Sequence, residues 1–275
     1  MATFFAFPYP LILLSDILYS MNWSTRRKLL YTFGIIASVI TLFLYFFRAT
    51  IFPTPTCFDN NQNGYESGVD CGGTCSLRCS EEIIPLSVMW SRALQTGTST
   101  YDFVTMVSNK NINNTSKALG YTFTAYDENG NQIKIVEGTT TAPVNSDFPI
   151  IKQNINLSQK PKEIVVKLFD TSHFTVDEKP TSPTVRTMNI KYEAGNIPRV
   201  YATVVNTKRI TISNLPVRVV VYDGNNNAFA AGETIINFLD KEGLQNIAFT
   251  WSQSFTQTPS KIRIYPIFDA FLSAQ

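Results

Sequence analysis

Residues 29–47, Leu-Leu-Tyr-Thr-Phe-Gly-Ile-Ile-Ala-Ser-Val-Ile-Thr-Leu-Phe-Leu-Tyr-Phe-Phe, run for 19 positions without a charge. At about 1.5 Å per residue such a helix spans about 28 Å, close to the hydrocarbon thickness of a bilayer. A core helix of a soluble domain would show a polar face, and none interrupts this run. The expectation is a transmembrane helix over 29–47. Arg26, Arg27 and Lys28 precede it, and only Arg48 follows closely. The positive-inside rule then puts residues 1–28 in the cytoplasm and everything after the helix outside. A cleaved signal peptide fits less well. The run is long for one, and bulky Phe46-Phe47-Arg48 stands where small residues would mark a cleavage site. A single-pass signal anchor in the cell membrane is the reading. Residues 1–20 are apolar but broken by Pro8, Pro10 and Asp16. Met21 opens a compact basic stretch before the helix, so Met21 is the expected start of translation.

Charge excludes one large class of function. The chain has 275 residues and a net charge of +2. Setting aside Arg26, Arg27, Lys28, Arg48 and Asp16 leaves 19 basic and 20 acidic residues beyond the helix. Nothing there attracts nucleic acid, and no nucleic-acid partner is expected. An aromatic content of 13% argues against disorder in the bulk of the chain.

A Pro-spaced linker, 48–56, leads into a neck over 57–80 that holds all four cysteines: Cys57, Cys71, Cys75 and Cys79. Four thiolates can hold zinc or an iron–sulfur cluster. Outside the membrane, thiols oxidise, and two disulfides pinning a short Gly/Asn-rich loop are the preferred reading. The spacing does not reveal their pairing. Within the first Cys–Cys interval, Asp59 to Asp70 lines up with a twelve-residue calcium loop. Asp59, Asn61 and Asn63 take positions 1, 3 and 5, and Gly64 takes the sharp turn. Tyr65 would offer its carbonyl, with Ser67 and Asp70 at positions 9 and 12. Asp70 is shorter than the usual bidentate Glu, and no helices flank the loop. Calcium, if bound, falls in the weak extracellular range of roughly 10⁻⁴ to 10⁻³ M. A run of Asn/Gly turns fits equally well. No other cofactor is indicated.

From Leu86 onward, short alternating apolar runs are separated by Gly, Asn, Asp and Pro, which reads as all-β. The pattern occurs twice, offset by about 95 residues. A run ending in Asn109 matches one ending in Asn206. Tyr121 to Asp127 matches Val217 to Asp223, each followed by an Asn/Gly turn. Gly138-Thr139-Thr140 matches Gly232-Glu233-Thr234, and Ile164 to Asp170 matches Ile262 to Asp269. Repeats of this size suit two tandem immunoglobulin-like β-sandwiches, expected over 85–178 and 195–275. Alternation puts Tyr121, Phe123 and Ala125 on one core face, with Val217, Val219 and Val221 as their equivalents. Thr122 and Arg218 then point outward. Asp127 and Asp223 read as hairpin caps. Trp251 reads as a large core or inter-sheet residue.

The Phe-x-x-Tyr-Asp-x-x-Gly pattern from Phe123 to Gly130 resembles the FxLYD type of immunoglobulin-like domain. The first copy has Ala125 at the usual leucine. The second keeps Tyr222 and Asp223 but carries Val219 and Val221 at the Phe and Leu positions. The neck, with its Asp-Cys-Gly-Gly-x-Cys segment, resembles a stretch in single-pass envelope membrane proteins, mainly of uncultured bacteria. The resemblance covers nearly everything from Met21 onward. It implies architecture and location, and no activity.

Chemistry is sparse. No G-x-S-x-G, Walker, G-x-G-x-x-G or H-E-x-x-H motif occurs. The single histidine, His173, has Ser172 and Asp170 only as sequence neighbours, which rarely form a triad. Sequons occur at Asn113, Asn114 and Asn156. The expectation is therefore a membrane-anchored extracytoplasmic structural or interaction protein with a protein partner and no catalysis. The alternatives are a binding module for an envelope glycan or small ligand, which needs an exposed aromatic site, and a redox-active Cys-rich protein, which lacks the usual C-x-x-C.

Overall fold

Apolar run and β repeats segregate into two units, one from the N-terminus to Thr56 and one from Cys57 onward. The structure, a computed structural model, describes residues 22–51, 57–112, 114–169, 174–176 and 185–268. His173, Ser172, Asp170, Asn113 and the first 21 residues lie outside them.

In the first unit, helix α1 runs Trp23–Ile51, longer at both ends than its uncharged stretch. Its segment Trp23–Arg48 is long and apolar enough to cross a membrane, the single such helix among the described residues. Its hydroxyls close on their own helix. Thr41 Oγ1 donates to Ala37 O at 2.8 Å, and Thr32 Oγ1 bonds Lys28 O in the same way. That back-bonding satisfies both threonine hydroxyls within the helix. Arg27 lies over the Trp23 ring, 3.9 Å from its centroid.

The second unit opens with the neck and a 3-10 turn at Ser80–Glu82. The first sandwich follows with β1 Ser87–Gln95, β2 Thr100–Asn109, β3 Asn114–Tyr126, β4 Gln132–Ala142, β5 Ser146–Asn156, β6 Glu163–Phe169 and β7 Phe174–Val176. The second has β8 Val185–Glu193, β9 Arg199–Asn206, β10 Ile212–Tyr222, β11 Ala228–Leu239, β12 Leu244–Thr250 and β13 Lys261–Pro266. All pairings between these strands are antiparallel. The first sandwich faces β1-β2-β5 against β4-β3-β6, with β7 on the early part of β3. The second faces β12-β9-β8 against β11-β10-β13.

The second sandwich thus begins at Val185, not at 195 as the sequence reading had it, because β8 pairs with β9 along its length. Asn189 takes a left-handed backbone (φ 54°) where the register slips between Met188 and Lys191. That bulge breaks the period of two and leaves Met188 and Ile190 exposed, so no clean alternation marks the strand.

Inner faces pack as alternation demands. Phe103, Phe123, Phe148 and Phe174 fill the first core, and Val200, Val204, Val217, Val219 and Val221 the second. The sheets β1-β2-β5 and β11-β10-β13 are buried on their outer faces as well, against each other. Leu94, Val104 and Ile151 meet Ala231, while Trp90 and Met106 meet Val220, Tyr222 and Ala228. Trp90 packs edge-on to Tyr222 at 6.5 Å.

This seam corrects the outward reading of Arg218, which is 7% exposed. Its guanidinium crosses to the first sandwich, where Nη1 donates to Thr140 Oγ1 at 3.1 Å and to Pro149 O at 2.7 Å. Its Nε pairs with Glu233. A buried guanidinium needs partners for its donors, and Nε and Nη1 find them here. Ile267, beyond β13, is also buried within the first core, and its N–H donates to Pro216 O.

Candidate functional sites in the neck and seam

The neck is closed by Cys57–Cys75 and Cys71–Cys79. Among the described residues, Cys57, Glu66 and Cys75 form the one group close enough to hold a metal, and two of those sulfurs are bonded to each other. The thiolate-cluster alternative therefore has no thiolates in this structure.

The calcium-loop residues do converge, through hydrogen bonds. Asp70 Oδ1 accepts the N–H of Asp59 at 2.9 Å, and Oδ2 accepts that of Asn60 at 2.9 Å. Asp59 Oδ1 accepts Asn61 N–H, and Oδ2 accepts Asn63 Nδ2. Both carboxylates with matched charge are thus taken up by N–H donors, the pattern of an Asx-turn. Gly64 takes the left-handed turn expected of it (φ 60°). Asn63 Oδ1 is buried without a protein partner. The Tyr65 side chain points to solvent, and its carbonyl presses on Gly73. A Cβ at Gly73 (φ +56°) would lie 1.5 Å from that oxygen, so the second glycine of Asp-Cys-Gly-Gly is required by close approach.

Side chains dock the neck onto the first sandwich. Ile83 enters its core. Asn111 Oδ1 accepts Ile84 N–H while Asn111 Nδ2 donates to Ile84 O, both at 2.8 Å, which mimics a ladder pair. Arg78 N–H donates to Phe174 O at 3.0 Å. Asn111 is itself held by Asn109, whose Oδ1 accepts the Asn111 N–H.

The repeated Asn and Asp landmarks prove to be one chemistry used twice. Asn109 Nδ2 donates to Asn114 O and Pro143 O, and Asn206 Nδ2 donates to Ile210 O and Asp240 O. Asn206 Oδ1 accepts Lys208 N–H, as Asn109 does for Asn111. Asp127 Oδ1 accepts the N–H groups of Asn129 and Asn131, and Asp223 Oδ1 those of Asn225 and Asn227. These bonds hold both carboxyls below the usual carboxylate range. They cap turns.

Three aromatic side chains bear on a stacking site, Trp90, Tyr201 and Trp251. Trp90 and Tyr201 are half-buried, and Trp90 belongs to the seam. Trp251, also half-buried, follows β12 and donates Nε1 to Ala231 O at 2.9 Å. It sits against Phe255, which stacks on Tyr192.

Sequence reasoning missed a cleft beside the seam, about 450 Å³ in volume, between Asp102, Gln153 and Asn154 of the first sandwich and Glu233, Thr234 and Trp251 of the second. Burial pushes the Asp102 carboxyl up, and hydrogen bonds from Asn154 and Gln153 pull against that. The signal that could have found it is Asp102, the one charged residue of β2.

No protein-family model matches this chain, and no curated protein does. Among solved structures, red sea bream transglutaminase is similar at 9% identity, over 68% of this chain and 30% of its own length, with a TM-score of 0.22. The chain thus spans less than a third of that protein, and so distant a likeness carries no argument about activity.

Proposed function

We propose that this chain is a single-pass membrane protein that holds a stiff β module on the extracytoplasmic face and presents it to a protein partner, without catalysis. The observation that carries the reading is the continuity of the module. The neck is tied to the first sandwich through Ile83 and Asn111, and the first to the second through Arg218 and the apolar seam. A chain of flexibly linked domains would leave these faces to water. Orientation rests on Arg26, Arg27 and Lys28 flanking the helix on one side against Arg48 on the other. The resemblances of Phe123 to Gly130 and of the neck, noted in the sequence, point the same way. Exposed edge strands suit recognition by strand addition, with Ile135 on β4 and Ile190 on β8 as exposed apolar side chains at such edges.

The test is cross-linking in the native membrane, with photoreactive residues at positions 135 and 190. Capture of one or two specific envelope proteins is the expected result. Capture of this chain alone, or of cell-wall material alone, would overturn the reading.

A further inference from the structure

The cleft beside the seam has a chemical character of its own. Its volume of about 450 Å³ falls within the range of small-ligand sites, roughly 300–1,000 Å³, and such sites favour domain interfaces. The strands build its floor by a break in register. The β2–β5 ladder slips between Tyr101 and Phe103, and Asn154 takes a left-handed backbone (φ 59°). The freed Asn154 N–H donates to Asp102 Oδ1 at 2.9 Å. Bulges commonly re-aim side chains toward sites in this way. Asp102 is 4% exposed, a carboxylate kept at the wall of a cleft with no Lys or Arg in its lining. Arg218 bonds the other carboxylate, Glu233, from within the seam.

The remaining polar lining consists of amides and hydroxyls, such as Gln153, Thr234 and Ser252. Amides, hydroxyls and carboxylates together both give and accept hydrogen bonds, which is what a hydroxyl-rich ligand needs. An anionic ligand would meet two carboxylates and no unengaged cation. The part of the half-buried Trp251 ring that lines the cleft, fixed by its Nε1 bond to Ala231 O, supplies an apolar surface for the C–H face of a sugar ring. Thr96, Trp251 and Ser252 also line a smaller hollow of about 120 Å³ beside Phe229 and Phe255. A polar hollow that shares lining residues with an aromatic one suits an oligomer better than a single ring.

We propose that the cleft between Asp102 and Trp251 binds an oligosaccharide that carries no negative charge, neutral or amine-bearing. This ligand is separate from the protein partner proposed above, and the cross-linking result does not bear on it.

The experiment uses the full chain in lipid nanodiscs free of glycoside detergent. Glucosamine tetramer, its N-acetylated form and a sulfated tetrasaccharide are titrated by calorimetry and tryptophan fluorescence. Saturable binding of the first two and none of the third is expected. Asp102→Asn should weaken the amine tetramer about tenfold more than the neutral one. Ser252→Arg, a change at an exposed rim position, should weaken both at least tenfold and leave the melting midpoint in place. The proposal is overturned if neither uncharged nor amine tetramer binds saturably, if the sulfated sugar binds as well, or if a folded Ser252→Arg protein binds both as before.

Discussion

The two sandwiches share their turns and differ in their fillings. Asn109 and Asn206 bind loop carbonyls alike, and Asp127 and Asp223 cap their hairpins alike. The first core is packed around phenylalanine, the second around valine, isoleucine and leucine, with Tyr192, Trp251 and Phe255 packed against it. Backbone hydrogen bonding therefore sets the template, and side-chain volume is settled within each copy. A second contrast lies between β3 and β10, which occupy equivalent places. Thr122 on β3 is half-buried and near Glu137, whereas Arg218 on β10 is sealed in the seam. The same strand serves as an outer wall in one copy and an inner wall in the other.

The largest expected effect tests the fillings. Phe123→Ala should cost about 3–5 kcal/mol, and Val219→Ala about 2 kcal/mol, in urea unfolding of the full chain. Both should shift one shared transition, since the seam couples the cores; two separate transitions would break that picture. Next comes the outer-face contrast. Arg218→Ala strands Glu233 and two acceptors and should cost about 3 kcal/mol, while Thr122→Ala should stay within about 0.5 kcal/mol. Equal costs would mean that the seam does not form. Asn206→Ala should cost about 2 kcal/mol through lost buried hydrogen bonds. Asn109→Ala should also release Asn111 and raise hydrogen exchange at the Ile84 amide, which Asn206→Ala should leave protected.

Acid sharpens the comparison further. Asp127 and Asp223 have folded values below their unfolded ones, chiefly through backbone N–H bonds from Asn131 and Asn227. Their stabilisation is present above the ordinary carboxylate range and is lost as pH falls through the depressed values. Asp102 has the opposite sign, since burial raises its folded value and its ionisation destabilises the fold as pH rises through it. Asp127→Asn with Asp223→Asn should flatten the acid side of a urea-midpoint profile, and Asp102→Asn should steepen the net rise of stability with pH. The smallest effect concerns the neck. With both loop carboxylates on N–H groups, calcium at roughly 10⁻³ M should leave the melting midpoint unmoved. A rise would mean that Asp59 and Asp70 exchange those donors for the ion.

Much of this was legible beforehand because a strand has a period of two. Tyr121, Phe123 and Ala125 fall on the buried side as alternation requires, and so do Val217, Val219 and Val221. The same rule misplaced Arg218, because alternation assigns one face to the core and is silent on what covers the other. The hint lay in Val219-Val220-Val221-Tyr222, a run without alternation that is typical of strands buried on both sides. The start of β8 was hidden by the bulge at Asn189. The disulfide pairing was unreadable because all four cysteines lie close in sequence. The cleft was unreadable because its walls come from strands far apart in the chain.

Ile267 has a consequence for synthesis. It completes a core whose other members, Phe103 and Phe123 among them, leave the ribosome long before it. Until residue 267 emerges, the first sandwich has a vacancy in its interior and an uncovered outer sheet. Closing such distant contacts is slow, so the nascent β module must wait in a sticky, half-built state. This predicts dependence on a chaperone during folding, and it makes the segment from β13 to Ile267 the trigger for maturation of the whole module.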